Sequence, residues 1–222
     1  GLALITVPLL SLFVAPRLAV PGAIILQLGG IIQLLRPAIP LGDWKAIRWL
    51  VVGASVATPV GLVILTLVPE DPMRVAIGGA TLIASLVLAF AKNVTISDAR
   101  TASVGFGMLS GLCNGAAGIP GPPVIVYLLA RTRDAATGRA SLIIYFSILA
   151  VFSGIIAAIA GLVVQETLIL AAGMLPGMFA GTAAGAWCFK RFGTTTYRPV
   201  VISLLIFVAV AALIKGIIGI VA

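Results

Sequence analysis

Long uncharged apolar runs alternate with short polar connections along the whole chain. Trp49 to Val68, Ala140 to Gln165 and Thr167 to Phe189 each continue for about 20 residues or more without a charge, enough helix at ~1.5 Å per residue to cross the ~30 Å hydrocarbon layer. Eight apolar segments are predicted, at residues 1–16, 18–35, 49–68, 75–91, 101–130, 140–165, 167–189 and 199–222. The connections between them leave no room for a soluble domain. The pattern therefore predicts an all-α, multi-pass integral membrane protein with the lipid bilayer as its main partner. The first residues, GLALITVPLL, start in apolar sequence with no basic leader, so Gly1 is expected to lie already inside a helix.

The fifth segment departs from the pattern. Residues 101–130 carry no charge, yet Gly118-Ile119-Pro120-Gly121-Pro122-Pro123 stands in their middle. Three prolines remove backbone donors and two of the glycines relax the backbone, so no straight helix passes through. Thirty residues of helix would also measure about 45 Å, too long for a simple crossing. A broken or re-entrant helix is expected here.

The apolar blocks repeat. A shift of 120 residues lays Gly1 on Gly121, Gly53 on Gly173 and Gly61 on Gly181, with the blocks in step. Basic residues decide whether such repeats are parallel or inverted. If segment five enters and returns on one side, Arg36, Lys45, Arg48, Lys92, Arg100, Arg131, Arg133, Arg139, Lys190, Arg191 and Arg198 share that side. Only Arg17, Arg74 and Lys215 oppose them. Were segment five an ordinary crossing, the basic residues would divide almost evenly. The positive-inside rule favours the uneven division, and with it two inverted repeats, each beginning with a broken or re-entrant helix. The expected division is 1–92 for the first repeat, 93–100 for the connecting loop and 101–222 for the second repeat.

Composition narrows the function. Charged residues are 9% of the chain and apolar residues 61%, with a mean hydropathy of +1.25; a soluble domain needs roughly 25% charged residues. The net charge of +8 is scattered between apolar runs, with no basic run or stacking aromatics, so no nucleic-acid partner is expected. Cys113 and Cys188 lie in apolar segments and read as small core residues. Histidine is absent, and with it the usual metal-ligand and catalytic signatures. No metal site, cofactor or enzyme activity is expected. The acidic residues Asp43, Glu70, Asp71, Asp98, Asp134 and Glu166 fall at segment ends, which disfavours a carboxylate proton relay within the membrane.

The stretch Ser110-Gly111-Leu112-Cys113-Asn114-Gly115-Ala116-Ala117-Gly118-Ile119-Pro120-Gly121-Pro122-Pro123, with its shorter counterpart Gly1-Leu2-Ala3-Leu4-Ile5-Thr6-Val7-Pro8, resembles the sulfite exporter TauE/SafE family of membrane transporters. The resemblance covers essentially the whole chain. In the first half only the tail of the motif is present, and Pro120 stands where the family usually has glycine. The resemblance implies transport of sulfite, a sulfonate such as sulfoacetate, or a related organosulfur anion across a bacterial inner membrane. A channel or uptake permease for another small anion, such as thiosulfate, is the alternative, and a homodimer is left open.

The break itself suits an anion. A half-helix starting near Gly121 leaves its first N–H groups without helical partners, and Pro122 suits the first helical position. Free N–H groups and the positive end of the helix dipole attract negative charge. By the repeat register, a helix beginning at Gly1 supplies a second such end. The expected substrate-binding residues are Gly1, Gln27, Asn114, Gly118, Gly121, Pro122, Tyr145 and Ser147. Gln27 and Ser147 are paired by the 120-residue shift, and Asn114 offers an amide just before the break. Gln33, Tyr127 and Ser153 are weaker candidates. Gly121 is expected to occupy a turn that only glycine tolerates. The Gly53/Gly61 and Gly173/Gly181 pairs, with Pro59 and Pro176 beside them, are expected to be packing and hinge sites.

Overall fold

The structure, a computed structural model, describes residues 2–90, 100–131 and 134–221. Among the described residues every regular element is helical. They are α1 (Leu2–Ser11), α2 (Pro16–Ala38), α3 (Trp44–Leu67), α4 (Glu70–Phe90), α5 (Arg100–Ala117), α6 (Gly121–Arg131), α7 (Ala135–Ile159) and α8 (Gln165–Val221), with a 3-10 turn at Ile39–Leu41. Gly1 and the loop residues 93–99 lie outside the described residues; Arg100 already belongs to α5.

Among the described residues four stretches are long and apolar enough to cross a membrane: Trp44–Leu67, Ala136–Ile159, Gln165–Ala184 and Ile202–Val221. A fifth crossing results if Pro16–Gly30 and Leu34–Leu41, bent by 70°, count as one. The bend follows the Gly29-Gly30 pair, a common cause of kinks. Segments seven and eight of the sequence pattern share one helical element, α8, but it is no straight rod. Leu170 packs on Gly22, while Lys215 donates to the Leu12 carbonyl. Leu12 and Gly22 can be at most about 36 Å apart along the chain, and a straight helix from Leu170 to Lys215 would measure about 67 Å. The chain of α8 therefore bends between its two apolar stretches.

The tightest seam joins α3 to α5. Gly107, Gly111 and Gly115 meet Leu50, Ala54 and Thr58 in ascending order, so the two helices run parallel. A Cβ on Gly111 would stand 2.7 Å from Ala54 Cα, and one on Gly115 the same distance from Leu62 N. From the other side, Gly61 would put a Cβ 2.5 Å from Leu112 O. With no apolar driving force between helices in lipid, such backbone approach through small residues supplies the association. The Gly53/Gly61 expectation holds. Its partner does not: nothing lies within 4 Å of a Cβ built on Gly173 or Gly181, on a stretch of α8 that is only 11% buried.

Side-chain bonds fix the remaining directions. Ser103 lies in the first turn of α5, and Tyr127 is in α6. Were α6 to continue α5, they would be about 36 Å apart, yet their hydroxyls are 2.5 Å apart. Hence α6 turns back along α5. Its last residue, Arg131, then reaches Asp43 at the start of α3, with Nε to Oδ2 at 2.8 Å. Gly154 of α7 faces Ile24 and Leu28, whereas Ala38 clusters with Ala140 and Ile144, so α2 and α7 are antiparallel.

Charges separate accordingly. Arg36, Lys45, Arg48, Arg100, Arg131 and Arg139 gather at the end of the bundle where α3, α5 and α7 begin, and Arg100 stacks over Trp49 at 4.6 Å. Arg17, Arg74 and Lys215 gather at the other end. There Arg74 bonds the Ser11 carbonyl at 2.9 Å and pairs with Asp71 at 2.5 Å and Glu70 at 3.2 Å. Lys215 donates to the Leu12 carbonyl, just past the end of α1.

Candidate functional site: the break between two helices

Gly118 ends α5. Its φ of +64 is left-handed, a conformation that costs an L-residue roughly 1–2 kcal/mol and glycine nothing. Its N–H donates to the Asn114 carbonyl at 2.8 Å, and Ile119 N–H donates to the Cys113 carbonyl at 3.2 Å, closing the helix as a left-handed glycine cap does. Gly121 was expected to hold the glycine-only turn. It opens α6, where a half-helix was expected to start, but without a positive φ, and a Cβ there would meet Ile125 and Phe146 at 3.5 and 3.8 Å, ordinary contacts. The strain belongs to Gly118 because the chain reverses at the end of α5, before α6 begins.

Three polar residues share one face of α5, at spacings of seven and four: Ser103, Ser110 and Asn114. Ser103 meets Tyr127 of α6. Ser110 donates to the Pro120 carbonyl at 2.6 Å and accepts from the Tyr145 hydroxyl at 2.8 Å. A buried relay thus ties α7, through Tyr145 and Ser110, to the middle of the break. Asn114 ends the stripe. It is 2% exposed, and its Nδ2 makes no hydrogen bond. Across the seam Thr58, wholly buried, has an unbonded Oγ1. Its carbonyl lies opposite Gly115, the residue after Asn114. Leaving such a group unsatisfied costs about 1–3 kcal/mol, and orphaned atoms of this kind are few in native structures.

The backbone at the break offers less than the sequence suggested. Pro120, Pro122 and Pro123 have no N–H, and those of Gly118 and Ile119 are engaged. Gly121 carries the remaining N–H between Gly118 and Pro123. Side chains must therefore contribute if several anion oxygens are to be bound. Residues 117–121 are all buried, with Gly118 against Val7 and Val20 and Ile119 in a core with Val20, Ile24, Leu62 and Ala157.

The other expected residues are more dispersed. Gln27 returns its amide to the Ala23 carbonyl at 3.3 Å, and Ser147 its hydroxyl to Ile143 at 2.7 Å, each within its own helix. Ser153 likewise bonds Leu149. Asn114, Gly118, Gly121 and Pro122 flank the break and Tyr145 reaches it through Ser110, whereas the side-chain bonds of Gln27 and Ser147 stay within their own helices. Gly1 lies outside the described residues. Sequence reasoning missed Ser110, whose signal was the i, i+4 spacing to Asn114, and Thr58, which had none.

Away from the break, Asp43 joins three helices. Its carboxylate caps α3 through the N–H groups of Lys45 and Ala46 and pairs with Arg131, while its own N–H donates to Ser141 Oγ at 2.9 Å. Burial raises its pKa, but the hydrogen bond and charge of Arg131 and the two backbone N–H groups outweigh this and hold it below 3.8. No cluster of metal-ligating side chains occurs among the described residues.

The model of one protein family, described as Sulfite exporter TauE/SafE, matches residues 1–212. No curated protein and no solved structure matches the chain.

Proposed function

The chain belongs to the sulfite exporter TauE/SafE family, whose members are membrane transporters and not enzymes, and from that premise we propose that it exports a small organosulfur anion, sulfite or a sulfonate such as sulfoacetate, across a bacterial inner membrane. The observation that carries the proposal is the break at Gly118–Pro120, in the interior of the bundle, with α6 turning back along α5. In a bilayer, non-helical backbone is tolerated where protein covers it or where it lines a pathway, and interrupted helices mark substrate sites in transporters. At 11 residues, about 16 Å, α6 is too short to cross alone, so α5 and α6 together act as a re-entrant hairpin. Asn114, Gly118, Gly121, Pro122 and Tyr145 form the substrate region, with Gln27 and Ser147 lining the path on α2 and α7.

The two repeats, 1–92 and 101–222 with 93–100 between them, are inverted. Helices α2 and α7 run antiparallel, as the repeat register requires of equivalent elements. The end with six described basic residues faces the cytoplasm by the positive-inside rule. The described acidic residues sit at helix starts: Asp43 and Asp134 as caps, Glu70, Asp71 and Glu166 in first turns. Export then draws on the membrane potential, about 2.3 kcal/mol per charge per 100 mV, and needs no proton relay. Counterflow in proteoliposomes tests this, with labelled sulfite, sulfoacetate, thiosulfate and chloride compared. Exchange of sulfite or sulfoacetate is expected; exchange of thiosulfate or chloride alone would replace this reading with another anion's permease.

A further inference from the structure

We propose that Thr58 Oγ1 and Asn114 Nδ2 are a pair of donors that hold a sulfur oxyanion at the α3–α5 seam, immediately before the break. The proposal rests on the transport reading above and adds to it a residue, Thr58, and a binding mode. Three observations converge. Thr58 and Asn114 carry the two buried side-chain atoms without a hydrogen bond among the described residues. They sit on facing turns, Thr58 opposite the glycine that follows Asn114. And the backbone of the break has one N–H left to offer between Gly118 and Pro123, too few for a ligand with three oxygens.

The chemistry selects the ligand class. An amide Nδ2 is a donor only, and a threonine hydroxyl can donate, so their common partner is an acceptor. A cation would find no carboxylate here. The described basic side chains are gathered at the two ends of the bundle, so the seam binds an anion with neutral donors alone. That favours weak, releasable binding, which passage through a membrane requires. Other buried hydroxyls are already bonded, Thr81 to Ile77 and Ser85 to Thr81 within their helix, Ser103 to Tyr127 and Ser110 to Pro120 between elements. Thr58 is kept free of that bond. Both residues are at most 2% exposed, so an anion reaches them when the α5–α6 apex shifts away from α3, opening the seam at its glycine-lined end.

Purified protein in proteoliposomes tests the pair by counterflow of labelled sulfite and sulfoacetate. Thr58→Val keeps shape and removes the donor; it should raise KM roughly tenfold or more, the usual effect of losing a hydrogen bond to a charged partner. Thr58→Ser should restore it, and Asn114→Asp, which adds a negative charge at the same size, should abolish exchange. Thr81→Val serves as the control and should leave KM unchanged. If Thr58→Val melts higher than wild type with KM unchanged, the hydroxyl is an idle buried group and the pair is no site. If Asn114→Asp is folded by size exclusion and exchanges normally, the pair is likewise refuted. Wild type that exchanges neither anion would overturn the transport reading first, and the site with it.

Discussion

Replacing Gly111 by alanine should separate α3 from α5. A Cβ at this position would stand 2.7 Å from Ala54 Cα and 2.9 Å from its carbonyl carbon, and closer still to its oxygen. These are backbone atoms in the middle of a helix and cannot rotate aside. Relief to the ~3.5 Å optimum for such contacts requires the helices to part by about 1 Å. A gap of that size forfeits a quarter to a half of each dispersion contact it opens, and it is felt at Gly107, Gly115, Gly53 and Gly61, which lie on the same seam. Overpacking of this kind costs about 1–3 kcal/mol, partly offset by the ~1 kcal/mol gain in helix propensity. Net destabilisation on the order of 1 kcal/mol would lower the melting temperature by roughly 2–4 °C in a chain of this size. The assay is thermal unfolding in detergent, with Gly181→Ala as its control. Open space surrounds Gly181, so that variant should be neutral or slightly more stable. Equal melting temperatures for wild type and Gly111→Ala would refute the backbone-contact seam. Equal losses from Gly111→Ala and Gly181→Ala would show that both glycine lines are packed.

Gly118→Ala should destabilise by about 1–2 kcal/mol for its left-handed backbone alone, with Val7 Cγ2 at 3.0 Å adding to it; Gly121→Ala, read by the same melts, should cost little. Tyr145→Phe removes the bond to Ser110 and should cost about 0.5–1.5 kcal/mol, with Ser110→Ala costing more because its bond to Pro120 and its bond from Tyr145 go at once; a larger loss from Tyr145→Phe would place the anchor elsewhere. Because Asp43 has a pKa below 3.8 when folded, against about 3.9 unfolded, its contribution is complete above the unfolded value and is lost as pH falls through the folded one. The melting difference between wild type and Asp43→Asn should therefore stay constant from pH 7 to about 5 and shrink only below about 4; a difference vanishing by pH 6 would point to another group. Anion flux driven by an electrical gradient should survive collapse of ΔpH, and strict dependence on ΔpH at fixed potential would defeat export down the potential.

What the sequence revealed and what it hid divide along physical lines. Helix existence was legible because lipid demands continuous apolar runs, and the break was legible because proline and glycine act on the backbone whatever surrounds them. Glycines were harder. Gly53 and Gly173 look alike in sequence, yet one touches backbone and the other faces open space, since a glycine's meaning depends on what packs opposite it. Gly118 and Gly121 were confused for a related reason: which residue takes the left-handed conformation depends on where α5 stops, and no side chain marks that point.

Polar side chains in an apolar run pose the same problem in sharper form. Gln27, Ser147 and Ser153 were visible as interruptions, and each proves to return its hydrogen bond to its own helix, the ordinary fate of such groups in lipid. Asn114 was equally visible and does not. Thr58 was passed over, because a threonine in an apolar helix normally bonds the carbonyl four residues back and signals nothing. Only the three-dimensional arrangement separates a hydroxyl that has used its bond from one that has kept it. That separation makes the two orphaned groups informative: they sit on adjoining helices at one level beside the break, where random failures of packing would have no reason to coincide.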